Sequence, residues 1–386
     1  MKKLLALFLC AAELLLFSGR EGLRGNYQEV EELLVIQTMG LDRTESGVTL
    51  TLAAAGDSEG KVARMEADGV SISAAMERIR DYSYEEEELF CPHIGRLLLG
   101  EKLCEDGLES TLAYICRSPE LRLDMPLFVV RGGEAADAVM RVGSGDRGIC
   151  DVMRIIEQDL RRRDESGITT AAQVLRDTAR SGSSLICALE LGQASETTES
   201  PDAEDTEEAE PEGTSVAPLG YAILREGRLC RYLTDEQAIA VGLLKNTPGR
   251  ATIELQDRHG QAAVLELNGG GCRIRPVWEG GVLRGVEIAC EVRASLLERG
   301  GRGALNEAED PDYLTARLES KLAGYLSSAL QASKELKADY LCLAETLEHA
   351  DPAAWRSLDR EFIDLLPELE LKITVSARLN QMNDMK

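Results

Sequence analysis

The chain has 386 residues with 68 acidic against 43 basic side chains, a formal charge of −25, and 44% hydrophobic but only 4% aromatic residues. Such a length exceeds what one core usually serves, so two or three domains with aliphatic cores are expected, and disorder throughout is excluded. The charge excludes a phosphate-tracking protein, because nucleic-acid and acidic-lipid binders need clustered Lys and Arg; no nucleic-acid partner is expected.

Lys2 and Lys3 followed by LLALFLCAAELLLFSG have the layout of a secretory leader over residues 1–20. Its apolar run of about 14 positions is shorter than the roughly 20 that a spanning helix needs. The alternative is an uncleaved amphipathic first helix of a cytosolic protein. A lipoprotein signal would place Cys directly after Ser18 and Gly19, but Arg20 stands there, so no lipidation site is assigned. Retention at a membrane would then depend on an uncleaved leader or on partner subunits.

A first domain is read over residues 21–193. LLVIQTMGLD and VTLTLAAAG predict two strands around a Gly-containing turn, and Ser71–Ser83 carries Ile72, Ala75, Met76 and Ile79 at helical spacing. IGRLLLG predicts a strand from Ile94, and a helix from Leu108 to Cys116 is ended by Pro119. DMPLFVVRG predicts another strand, then come an Arg-rich helix from Cys150 to Arg163, the helix AAQVLRDTAR capped by Thr169 or Thr170, and the strand SLICALEL. This alternation predicts a mixed sheet with packed helices.

Residues 194–218 hold nine carboxylates between Glu196 and Glu212 with no Lys or Arg among them. With no apolar periodicity, the segment is expected to be an acidic, disordered linker. A second domain is read over 219–386. It opens with a hairpin around Glu226 and Gly227, then Thr234 to Gln237 as a capping box. The strands ATIELQ, AAVLEL, CRIRPVW and VEIACEVRASL, separated by HG, GGG and EGG turns, predict an antiparallel sheet. One long helix from about Asp312 to Lys337 is expected to cover it, followed by a helix around Trp355, Leu358 and Phe362 and a terminal strand alternating from Leu369 to Leu379. The fold class is therefore α+β and multi-domain, with a mixed N-terminal sheet followed by an antiparallel sheet under a long helix.

No catalytic, cofactor-binding or metal-binding residue is nominated. GSGDRG, with Gly143, Gly145 and Gly148, matches G-x-G-x-x-G by letters but lacks the preceding strand, so it is read as a loop. His93, His259 and His349 are far apart, and the ten cysteines are scattered singly with no C-x-x-C pair, which suits buried thiols.

VEELLVIQTMGLD (Val30 to Asp42) resembles the opening of the Ger(x)C family of spore germination proteins. CPHIGRLLLGEKLCEDGLESTLAYICRSPELRLDMPLFVVRG is also similar to that family, with His93, the Arg117 to Glu120 step and Arg122. So are GYAILREGRLCRYLTDEQAIAVGLLKN and the closing segments with Asp339 and Trp355. The resemblance implies a non-enzymatic C subunit of a germinant receptor, membrane-associated at the outer face of the spore's inner membrane beside integral membrane A and B subunits. Arg20 stands where the family's lipidated Cys would be, and the acidic stretch looks like an insertion. His93, Arg122, Asp339 and Trp355 are expected to hold strands and helices together rather than to bind anything. The competing expectation is an exported solute-binding envelope protein.

Overall fold

The computed structural model describes residues 33–56, 62–83, 88–144, 147–163, 168–193, 214–300, 311–358 and 361–380. The leader, Arg20 and most of the acidic stretch lie outside the described residues. The first sheet begins with β1 (Leu33–Arg43), β2 (Val48–Gly56) and β3 (Val62–Gly69), an antiparallel meander whose third strand the apolar pattern did not announce. Helix α1 (Ile72–Ser83), β4 (Glu88–Phe90) and β5 (Arg96–Gly100) follow. Next come α2 (Glu101–Asp106), α3 (Glu109–Arg117), β6 (Leu127–Val130), α4 (Ala135–Arg141), and a two-residue hairpin of β7 (Gly143–Ser144) and β8 (Arg147–Gly148). That hairpin is where the GSGDRG letters fall, with Gly145 and Asp146 outside the described residues. Helices α5 (Ile149–Arg163) and α6 (Ala171–Ser181) lead to β9 (Ser183–Gln193), β10 (Thr214–Arg225) and β11 (Arg228–Tyr232).

These strands order as β11-β10-β9-β6-β5-β1-β2-β3, with β4 beside the start of β1. The central strands β9, β6, β5 and β1 run parallel, and the flanks are antiparallel. β5 and β6 are buried at every position, as strands covered on both faces must be. One face packs on α1, α2, α3 and α6, through Ile79, Leu103, Leu112 and Val174, and the other on α4 and α5, through Val139 and Met153. Arg96 on β5 is buried; its Nε lies 2.5 Å from Glu157 Oε1 of α5, and its Nη1 donates to Thr38 Oγ1 and the Cys150 carbonyl. Both charges of the pair are matched and hydrogen-bonded, the condition under which a buried ion pair is tolerated.

Two expectations are corrected here. The hairpin of β10 and β11, read as the opening of the second fold, instead completes the first sheet. Of the stretch expected to stay disordered to residue 218, Thr214 to Pro218 instead pair with Gln193 to Leu189 of β9, while residues 194–213 lie outside the described residues. The free edge of β9 offers backbone partners there, and Val216 packs against the α4/α5 core. Thr214 and Gln193 are register partners, so the acidic stretch leaves and re-enters one sheet and does not run between two.

The second sheet follows α7 (Asp235–Leu244), whose Thr234 cap and Gln237 form the reciprocal capping box that the letters predict. Thr170 and Gln173 do the same for α6, which settles the cap in favour of Thr170. The sheet orders as β12 (Ala251–Gln256), β13 (Ala262–Glu279), β14 (Val282–Arg299) and β15 (Glu370–Asn380). The GGG segment is not a turn: β13 runs straight through Gly269 to Gly271 with a register shift beside it, giving an 18-residue strand. β12 to β14 are antiparallel, while β15 pairs parallel to β14. Helix α8 (Pro311–Leu336) lays Leu314, Leu318, Leu322, Leu326 and Leu330 on the inner face. The single helix expected around Trp355 and Phe362 is replaced by α9 (Leu343–Ala350), α10 (Pro352–Trp355) and α11 (Phe362–Leu365), split where Pro352 and the Trp355–Phe362 ring contact at 5.5 Å redirect the chain.

The two sheets share apolar packing, since Leu185, Tyr221 and Ile223 of the first lie in the core of the second. Arg180 of α6 reaches Glu345 and Glu348 of α9 at 3.4 and 2.9 Å, and Arg231 reaches Glu335 at 3.3 Å. Each half also buries one aspartate that caps a helix start. Asp42 accepts the N–H groups of Ala135 and Ala136, and Asp339 those of Leu343 and Ala344. A Cβ on Gly100 would collide with the Asp42 carboxylate, which explains the glycine in LLLGE.

Burial pushes both carboxyls up to about 6 from the ordinary 3.8, against the opposing pull of those N–H groups. Between those values the folded chain holds more protons than the unfolded one, so stability rises as pH falls from 7 through 6 toward 4. The urea midpoint is expected to be higher at pH 5 than at pH 7, and the gap should narrow in the Asp42→Asn, Asp339→Asn double variant. An unchanged gap would show that these two groups do not carry the effect.

Candidate functional site

The second sheet turns its outer face to solvent, and strict alternation along β13, β14 and β15 decides what it shows. Arg273, Arg275, Glu287, Ala289, Glu291, Arg293, Lys372, Thr374, Ser376 and Arg378 point outward, while Cys272, Ile274, Ile288, Cys290 and Val292 point into the core. A concavity of about 600 Å³ opens on this face, floored by Gly270, Gly271 and Ala289 and walled by Arg273, Glu291, Arg293, Ser376, Arg378 and Asn246. It continues, through Arg273 and Ala289, into a smaller one of about 130 Å³ beside Arg275, Glu287, Lys372 and Thr374. Together they form one groove along the twisted hairpin.

The end of α7 builds one wall. Its last turn closes with Thr247 N–H donating to the Gly242 carbonyl and Asn246 in the left-handed region at φ 58, the conformation Asn tolerates best after Gly. From there Asn246 Oδ1 accepts the Cys272 N–H at 2.8 Å. It thereby pairs a backbone donor of β13 that the shorter β12 does not reach. A Cβ on Gly271 would sit 2.3 Å from that Oδ1, so the glycine is needed for the contact.

The charges divide into two groups. Glu287 pairs with Lys372 at 2.8 Å, lies opposite Arg275 in the register, and is held below the usual carboxylate range by the Lys372 hydrogen bond. Arg273, Arg293 and Arg378 form no ion pair among the described residues. Arg293 and Arg378 are direct cross-strand partners, an arrangement that like charges disfavour. In a chain of charge −25, three unpaired arginines converging on one concavity mark a surface suited to an anionic group, since Arg binds carboxylates and phosphates with a planar, two-pronged geometry. Sequence reading missed all three. The available signal was the alternation of basic residues in CRIRP, EVR and SAR within strands whose other face is apolar.

The residues singled out from sequence lie elsewhere. His93 ends a short turn with its ring 5.3 Å from Phe90, and Arg122 forms an exposed two-pronged pair with Asp124. Asp339 caps α9, and Trp355 is half-buried against Phe362. No hydrogen bond or ion pair joins any two of these four. Glu120 of the Arg117 to Glu120 step holds Arg80 of α1 through both carboxylate oxygens, at 2.8 and 2.7 Å. His259 sits in the β12–β13 turn, where its N–H and that of Gln261 donate to the buried Asp257. Burial would raise Asp257, but those donors and Arg299 outweigh it and hold the carboxyl low. Among the described residues no three His, Cys, Asp or Glu side chains are grouped to hold a metal ion, and no helix is long and apolar enough to cross a membrane.

Residues 26–190 match the family model described as the spore germination protein N-terminal domain, and residues 219–383 match the model described as spore germination B3/GerAC-like, C-terminal. No curated protein sequence matches the chain significantly. Among solved structures, the crystal structure of the GerBC protein is similar over 88% of this chain and 96% of its own, with a TM-score of 0.57 at 17% identity. That likeness shows the fold.

Two substitutions separate the groove's exposed cations from its framework. Arg378→Ser should change the urea-derived stability by no more than about 0.5 kcal/mol, as for a surface residue without a partner. Asn246→Ala leaves the Cys272 N–H unmet and should cost about 1–3 kcal/mol. A large loss in the first variant would mean that Arg378 serves the fold.

Proposed function

The chain belongs to the GerAC-type family of spore germination proteins, and from that premise we propose that it is a C-type subunit of a germinant receptor that works by contact and not by catalysis. The two family matches, which together span most of the chain, carry this reading. On it, the first sheet with its helices, closed by β10 and β11, and the second sheet with its helices, from α7 onward, are the two halves of the subunit, displayed outside the membrane and held there by integral membrane A and B subunits or by an uncleaved leader.

The groove on the second sheet is the surface that meets the companion subunits, through acidic side chains that complete Arg273, Arg293 and Arg378. Unpaired arginines support this assignment, because a contact supplying carboxylates would gain charge-assisted hydrogen bonds that the free chain lacks. A second reading, capture of a small anionic solute, is favoured by the 600 Å³ concavity beside the same arginines. Calorimetry with phosphate and small carboxylates tests it, and heat of binding would favour the solute reading over partner contact.

Deleting the gene should abolish the response of spores to at least one nutrient germinant, and an unchanged response to all would defeat the receptor assignment. Replacing both Arg293 and Arg378 by Glu should leave the fold intact, slow that response at least tenfold, and remove co-purification with the membrane subunits. Retained association would move the contact surface elsewhere while leaving the receptor assignment standing.

A further inference from the structure

Nine cysteines lie among the described residues, all with free thiols. Cys272 of β13 and Cys290 of β14 are register partners, and no other two described cysteines are. Both side chains point into the core, 7% and 1% exposed. Their pairing type follows from a bond made elsewhere. In an antiparallel ladder the N–H and C=O of one residue point to the same side, so a residue exchanges both bonds with its opposite partner or neither. The Cys272 N–H donates to Asn246 Oδ1, on the side away from β14, so Cys272 and Cys290 are a non-hydrogen-bonded pair. The Cα atoms of such a pair lie about 4.5 Å apart with their side chains closer than in the alternative pairing. That separation falls within the ~4.4–6.8 Å that disulfides span.

We infer that Cys272 and Cys290 are a redox pair that closes into a cross-strand disulfide on contact with a hydroperoxide. One thiolate attacks the peroxide oxygen and becomes a sulfenic acid as hydroxide leaves. The second thiolate then attacks that sulfur, forming the S–S bond and expelling a second hydroxide. The two thiol protons convert both hydroxides to water when hydrogen peroxide is the oxidant, and two electrons pass from the sulfurs to the peroxide. Donation from Cys272 lowers the Cys290 thiol below its ordinary value and raises the Cys272 thiol above its own, so Cys290 is the readier nucleophile of the two. Cys272 also lines the groove from beneath, its thiol on the core side of the sheet.

The link would lie directly beneath the groove. Arg273 follows Cys272, and Glu291 follows Cys290, so closing the bond fixes the spacing of two of its walls. The inference stands on the register and the Asn246 contact and does not rest on the receptor assignment.

Reduced full-length chain is exposed to hydrogen peroxide, quenched, alkylated under denaturing conditions and digested without reductant. The expected product is one peptide pair joined through Cys272 and Cys290, lighter by two hydrogens than the two reduced peptides together. Cys272→Ser should yield no such species and leave Cys290 as an oxygenated acid. Recovery of both alkylated thiols from the peroxide-treated wild-type chain would overturn the inference. So would over-oxidation of both, or predominant linkage of either to another cysteine.

Discussion

The pairing of β9 with β10 is the interaction on which the rest of the architecture depends. It runs from Gln193 opposite Thr214 to Ser183 opposite Arg225. It brings the chain back into the first sheet before the second begins. Leu185, Tyr221 and Ile223 lie toward one end of this pair and are buried in the second core, so the first sheet supplies part of the surface against which the second condenses. Arg180, Arg225 and Arg231 then add hydrogen bonds and ion pairs to α8 and α9 around that apolar contact. The apolar part carries the larger share, since exposed ion pairs typically contribute under about 1 kcal/mol each.

Buried charge is used sparingly and always with partners. Asp42 and Asp339 each fasten one helix start, Arg96 and Glu157 fasten α5 to the sheet, and Arg299 steadies Asp257 in the β12–β13 turn. Against this pattern the outer face of the second sheet stands apart. There the fold leaves Arg273, Arg293 and Arg378 without an ion-pair partner among the described residues, although Glu291 stands on the same face, and it does so on the most regular surface available, where the pleat fixes the direction of each side chain. A rigid, twisted hairpin is suited to presenting charge to another molecule, because little is lost in ordering it on contact.

Much of this was legible in the amino-acid sequence wherever a segment carries a single strong period. The stripe of α8, the alternation of β15 and the Thr234 capping box stand in the letters, and the family resemblance is borne out by matches over both halves. The misses share a cause. Gly269 to Gly271 look like a reversal but sit inside a long strand, and β10 looks like a beginning but closes an earlier sheet. In both places the decisive partner is distant in sequence: Asn246 for the glycines, β9 for β10. The arginine groove went unread for the same reason, since three strands contribute to it and only their register brings Arg293 opposite Arg378.

Since Gln193 and Thr214 face each other across adjacent strands, the chain joining them leaves and rejoins the first sheet at one place. Closure cost grows only slowly with loop length. Whole modules could therefore be spliced in at this place, or the native stretch trimmed, while the geometry linking the two halves stays as it is. A reporter or affinity handle grafted there would report on the intact molecule without standing between its parts.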